Sequence, residues 1–113
     1  MEHITKEIKL DRLKAMAEKS FGEIVKAVVD IDKETMIVDA ELHADQEKAL
    51  IELGSEQENL WGINIKPFEL PDKWVEFDSM INLRPWMGNR TRGVDSIDIQ
   101  KIILAIVLKL IVL

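Results

Sequence analysis

Three of the four arginines in this 113-residue chain, Arg84, Arg90 and Arg92, stand between Asn82 and Gly93 with no acid among them. Acids prevail elsewhere, and the formal net charge is -6. A guanidinium is a planar fork that holds a carboxylate or phosphate through two hydrogen bonds, so the cluster suits an anion. Gly88, Asn89 and Gly93 are residue types that accept a positive φ where the loop needs one. The loop is expected to lead into a helix, whose first N–H groups also favour negative charge. Arg84, Asn89, Arg90 and Arg92 are therefore the candidate ligand-binding residues. Internal pairing is the competing use. Asp30 to Glu58 carries ten acids against Lys33 and Lys48, and the arginines can bridge to that region of the same or a neighbouring chain.

A second group surrounds His43. Glu41 and Asp45 flank it, and Glu47 follows one helical turn later. Such a set can serve acid–base chemistry, hold a metal through an i, i+4 His/Glu pair, or neutralise a helix N-terminus. No second histidine is positioned to complete a metal site, and no metal or cofactor is expected. Asn64, Lys66, Glu76, Asp78, Asn82 and Arg84 fall on one face of a hairpin, where neighbouring strands bring such groups within reach of each other. His43 and Asp78 are the candidate acid–base residues. There is no Walker-type glycine loop and no dinucleotide fingerprint. Ser20, Ser55, Ser79 and Ser96 lack a nucleophile-elbow context.

These residues need a scaffold, and the composition permits one. A length of 113 residues suits a single globular domain spanning the whole chain. With 47% hydrophobic and 32% charged residues, it reads as soluble rather than disordered. The absence of cysteine excludes disulfides, thiolate nucleophiles and cysteine-based zinc sites. A pI near 4.9 argues against nucleic-acid binding, which needs a broad basic surface. No apolar signal-like segment appears in Met1–Lys6, so a cytoplasmic location is the expectation.

Periodicity supplies the elements. Ile4 and Ile8 open a short strand or a turn. Leu10, Leu13, Met16 and Ala17 recur at helical spacing and predict a helix from Lys9 to Ser20. The β-branched run Ile24–Ile31, the polar Asp32–Thr35 and then Met36–Ala40 predict a hairpin on a type I turn. A second helix is expected over Ala44–Leu53, with Ala49, Leu50 and Leu53 facing inward and Gly54 stopping it. Trp61, Ile63 and Ile65 alternate with polar or small residues, as do Val75, Phe77, Ile81 and Leu83, which predicts a second hairpin ending at Pro85. Trp61 is expected in the core, and Trp86 as a partly exposed anchor. Asp95 or Ser96 can cap a last helix from Ile97 to the end. The expected fold is α+β: helix, hairpin, helix, hairpin, helix, with a four-stranded antiparallel sheet and the helices packed on one face.

The last helix is unusual. Asp98, Lys101, Ala105 and Lys109 form its only polar stripe, leaving an apolar arc of roughly 240° where a surface helix needs little more than about 100°. Either the other helices flank it, or a second copy covers it. The expectation is a homo-oligomer through Ile102, Ile103, Ile106 and Leu110. The apolar run, interrupted by Lys109, is far shorter than the roughly 20 residues a membrane span requires.

Several phrases together resemble a family of short prokaryotic conserved-hypothetical proteins, classified only as a domain of unknown function. They are Phe21-Gly22 with Val25–Asp30, Glu41–Asp45, Gly54-Ser55 with Asn59–Asn64, Glu76–Asn82, Arg84-Pro85, Gly88–Arg90 and Arg92–Val94. The resemblance implies a small α+β protein and brings no activity or catalytic residues. The residues then support a non-enzymatic, self-associating protein whose arginine loop binds an anionic ligand or an acidic partner surface. The alternative is an enzyme acting on an anionic or phosphorylated substrate, with His43 or Asp78 as acid or base.

Overall fold

Apolar residues one turn apart set the helices of the computed structural model, which describes residues 1–113. Helix α1 (Leu10–Lys19) buries Leu13 and Ala17, with Leu10 and Met16 packing beside them. It stops where Gly22 turns to φ 91° and donates its N–H to Ala17 O. Helix α2 (His43–Glu52) buries His43, Gln46 and Leu50, again at i, i+3 and i+7. Helix α3 (Ile97–Leu110) is capped by the Ser96 hydroxyl, which accepts from Ile99 N–H. Its buried residues are Ile103, Ile106, Val107 and Leu110. Leu53, expected to face inward from α2, is exposed.

The α+β class holds, but the sheet has five strands rather than four, all antiparallel. They are β1 (Glu2–Ile4), β3 (Val25–Asp30), β4 (Thr35–Val38), β5 (Leu60–Ile65) and β6 (Val75–Glu76), in the order β1-β4-β3-β5-β6. The extra strand is the N-terminus, which pairs with β4. A separate parallel pair joins β2 (Ile8–Lys9) to β7 (Ile111–Val112), so the last helix ends before the chain does. The helices also lie on both faces, not one. Val25, Ala27, Val29, Trp61 and Ile63 share a core with residues of α1 and α3. Val28, Ile37 and Leu60 on the opposite face pack with Leu50 of α2. A sheet covered twice needs apolar residues at most positions of its central strand, and β3 has them everywhere but Lys26 and Asp30.

Strands β3 and β4 pair as a hairpin, but its connection is Ile31–Glu34 rather than Asp32–Thr35, with Glu34 at φ 56°. Asp30 is buried, and its carboxylate accepts N–H bonds from Asp32 and Lys33 and the hydroxyl of Ser55. The second hairpin is much shorter than its alternation predicts. Only Val75 and Glu76 pair with β5. Ser79 then caps a 3₁₀ turn over Met80–Asn82, its Oγ accepting from Ile81 N–H, and the chain leaves the strand direction. The edge of β5 beyond β6 is met by side chains instead, from Asn82 at Gly62 and Arg84 at Leu60. Gly62 must be glycine here, because a Cβ would lie 2.5 Å from the side chain of Ser79.

Candidate functional site

Lys26 of β3, Asn64 of β5 and Glu76 of β6 stand side by side across three strands, since Lys26 pairs with Asn64 and Asn64 with Glu76. They form a polar row on the face that carries α2. The N-terminus of α2 reaches this row, and between them lies a cavity of about 510 Å³. Lys26, His43, Asn64, Glu76, Asp78 and Arg92 all line it. Both acid–base candidates, His43 and Asp78, and one of the expected arginines thus line the same cavity.

His43 is the first residue of α2 and is buried. Its Nε2 lies 2.7 Å from the carbonyl oxygen of Ile63. A carbonyl can only accept, so Nε2 carries the proton and Nδ1 keeps a lone pair. Burial lowers its pKa, the Ile63 carbonyl and Asp78 oppose that, and Lys26 and Arg92 add to it. His43 is therefore a neutral imidazole with a fixed tautomer at neutral pH. The helix begins after Leu42, which has no side-chain acceptor, so no side-chain cap takes its first N–H groups.

The charges around His43 are unequally engaged. Arg92 Nε contacts Asp78 Oδ1 at 2.8 Å, and both side chains are about half exposed. Such a bridge is weak and screened by salt. Glu76 accepts from Asn64 Nδ2 at 2.9 Å and pairs with Lys66 at 3.2 Å. The Asn64 hydrogen bond and then Lys66 hold its carboxyl below the usual range. Lys26 has no carboxylate within salt-bridge distance and instead sits 5.3 Å from the Phe21 ring centroid. It is the cation of the cavity that no acid neutralises.

The other arginines are placed differently. Arg84 is 2% exposed and is tied to main chain, with Nη1 donating to Gln57 O at 2.7 Å and Nη2 to Leu60 O at 2.6 Å. Its guanidinium also lies 4.4 Å from the Trp61 ring centroid. Burial lowers the pKa of Arg84, but a guanidinium stays charged. Arg90 is exposed and forms no salt bridge, while its backbone N–H donates to Asp95. Asn89 is buried and organises the loop: Nδ2 donates to the carbonyls of Asn82, Thr91 and Gly93, and Oδ1 accepts from Asp95 N–H. Bonds from Thr91 and the Arg90 N–H hold the Asp95 carboxyl below its usual range. Arg84, Asn89, Arg90 and Arg92 do not converge on one point; only Arg92 reaches the cavity.

The sequence matches, over residues 2–110, the family described as Protein of unknown function (DUF5674). The chain belongs to that family. This meets the expectation drawn from its quoted phrases. No curated protein and no solved structure matches it. The family description names no activity, so the site in this DUF5674 member is read from its own chemistry.

Two parts of that site escaped the sequence reading. Lys26 is a lone lysine within the apolar run of β3, and that interruption was its only signal. The start of α2 as a cavity wall depends on the packing of α2 against the sheet, which local spacing does not report. No group of His, Asp or Glu side chains is arranged to hold a metal ion. No helix is long and apolar enough to cross a membrane.

Proposed function

We propose that this protein binds a small anionic molecule in the cavity between α2 and the polar row of the sheet. One observation carries the reading: the Lys26 ammonium, paired with no carboxylate, faces the same cavity as neutral His43 and the uncapped start of α2. A cation and free N–H groups provide charge and hydrogen-bond donors for an anion. The weak Arg92–Asp78 bridge lies at the same cavity, so Arg92 can exchange Asp78 for the ligand. The arginine loop contributes through Arg92, while Arg84 and Asn89 hold the loop together.

Thermal-shift measurements with phosphate, short carboxylates and nucleotides test this. Stabilisation by such an anion should vanish in Lys26→Met and persist in Arg90→Ala. Loss of the shift in Arg90→Ala with retention in Lys26→Met would place the ligand on the outer loop and defeat the cavity reading.

The fixed tautomer of His43 favours a second reading, in which the bound molecule is also a substrate. With Nε2–H held by Ile63, Nδ1 is the atom that accepts a proton, and Asp78 offsets the charge it gains. His43→Gln should then abolish turnover of any substrate found while leaving its binding within about threefold. Turnover unchanged in that variant would remove His43 from the chemistry.

The exposed apolar stripe of α3, in this reading, joins two copies of the chain. Ile103, Ile106 and Leu110, three of the four residues expected at such an interface, instead belong to the chain's own core. Ile97, Leu104 and Leu108 are left outside along one side of the helix, and Ile102 is exposed on another side.

A further inference from the structure

The floor and the mouth of the cavity differ in chemistry. The floor is polar, made by Lys26, His43, Asn64, Glu76, Asp78 and Arg92, with Glu76 engaged by Asn64 and Lys66 and Asp78 by Arg92. The mouth carries Phe21, Leu42 and Met80, which are 46%, 56% and 62% exposed. These three come from unrelated segments: the turn after α1, the residue before α2 and the 3₁₀ turn at Met80–Asn82. Single exposed apolar residues are ordinary, but three convergent on one charged cavity define a surface to be covered. A bare inorganic anion would satisfy the floor and leave them in water. The volume of about 510 Å³ lies within the range that holds an organic molecule, roughly 300–1,000 Å³.

Lys26 marks where the charge and the apolar part would meet. Its ammonium lies over the Phe21 ring, so an anion on Lys26 has an apolar wall directly beside it. Ile24 and Ile81, half-buried, continue that wall toward Leu42 and Met80. We propose that the ligand is an amphipathic anion, its carboxylate or phosphate on Lys26 and the start of α2, its hydrocarbon body under Phe21, Leu42 and Met80. The inference rests on the cavity reading above and adds the class of molecule to it.

Isothermal titration with acetate, butyrate and hexanoate, and with phosphate against hexyl phosphate, separates head from body. Affinity should rise about twofold to fourfold per methylene, the range set by partial to full burial at ~0.8 kcal/mol each. Hexanol, which has the body without the charge, should bind far more weakly than hexanoate. A Leu42→Ala, Met80→Ala double variant removes only exposed side chains, so the fold should persist. It should flatten the dependence on chain length while leaving acetate and phosphate unchanged, whereas Lys26→Met should weaken every anion. Equal affinity for acetate and hexanoate, both lost in Lys26→Met, would overturn the amphipathic ligand and leave the anion site standing. A length dependence that survives the double variant would overturn it too. No binding of either head group, with or without a body, would end both readings together.

Discussion

Asn82 pairs its side-chain amide with both main-chain groups of Gly62: Gly62 N–H donates to Oδ1 at 2.8 Å, and Nδ2 donates to Gly62 O at 2.9 Å. A carboxamide has the donor and acceptor of a peptide group, so one side chain stands in for the continuation of β6 at this point of the β5 edge. Nδ2 also donates to Arg92 O at 3.0 Å, which ties the sheet edge to the loop that carries Arg92 to the cavity.

Replacing Asn82 by alanine therefore strands a buried N–H and a buried carbonyl at Gly62. Each orphaned group costs about 1–3 kcal/mol, so Asn82→Ala should lower unfolding free energy by roughly 2–5 kcal/mol. Asn82→Asp should do little better, since it keeps the acceptor but faces Gly62 O with a second oxygen. Urea denaturation of the three proteins measures this. A loss below about 1 kcal/mol for both variants would show that the edge does not depend on the amide.

Arg84 and Arg90 look alike in the sequence and differ in what they touch. Arg84 uses two nitrogens on two carbonyls, that of Leu60 buried and that of Gln57 partly so, and hydrogen bonds to charged groups are worth about 1.5–3 kcal/mol each. Arg84→Met should destabilise the fold by about 3 kcal/mol or more, and Arg84→Lys by nearly as much, because one ammonium cannot reproduce the fork. Arg90→Ala should stay within about 0.5 kcal/mol of the parent. Thermal melts of the three variants check the order; a tolerated Arg84→Met would mean that its carbonyl partners find water instead.

This contrast shows where sequence reading stops. The helices were readable because Leu13 and Ala17, or Ile103, Ile106 and Leu110, repeat at helical intervals within one short window. Strands β3 and β5 were readable for the same reason, with a period of two. The burial of Arg84 was not, since its partners Gln57 and Leu60 lie 27 and 24 residues away in the chain. Nor was the early end of β6: Val75 to Leu83 alternates well, but Ser79 offers the backbone a local hydroxyl acceptor and diverts it. The two-sided sheet had a visible sign, the near-continuous apolar run of β3, which fits a strand covered on both faces. At the cavity, His43, Asp78 and Arg92 were named from their chemistry. Their meeting was set by the packing of α2 on the sheet.

Burial makes the charged form of His43 unfavourable in the folded chain. An unfolded chain takes up this proton near pH 6.5, and the folded chain only at lower pH. The contribution is therefore complete above pH 6.5 and is lost as the pH falls through the folded value. Lowering the pH from about 7.5 to about 5 should reduce the melting temperature of the parent more than that of His43→Gln. Gln keeps a donor for Ile63 O and carries no titrating group. Glu76 and Asp95 are held below their usual carboxylate values and titrate beneath this window. Identical slopes in the two proteins would mean that His43 is not buried as a neutral ring.

Helix α3 leaves Leu108 54% exposed, with Ile97 and Leu104 on the same side of the helix also open to solvent. Beside Leu104 and Leu108, the side chains of Pro71 and Trp74 help form a shallow cavity of about 200 Å³. Covering a Leu or Ile fully is worth about 1.5–3 kcal/mol, so burying the exposed half of each yields about 1 kcal/mol apiece. Two symmetric copies double that sum, enough for an association seen at micromolar concentration only if the surrounding contacts fit well. Lys109 on this helix already pairs with Glu34 of its own chain at 2.7 Å. Sedimentation of the parent at micromolar concentration should show a dimer. Leu108→Glu should return it to monomer without changing the melting temperature of the monomer, because Leu108 lies outside the core. A parent that sediments as a monomer throughout this range would remove α3 as a self-association surface.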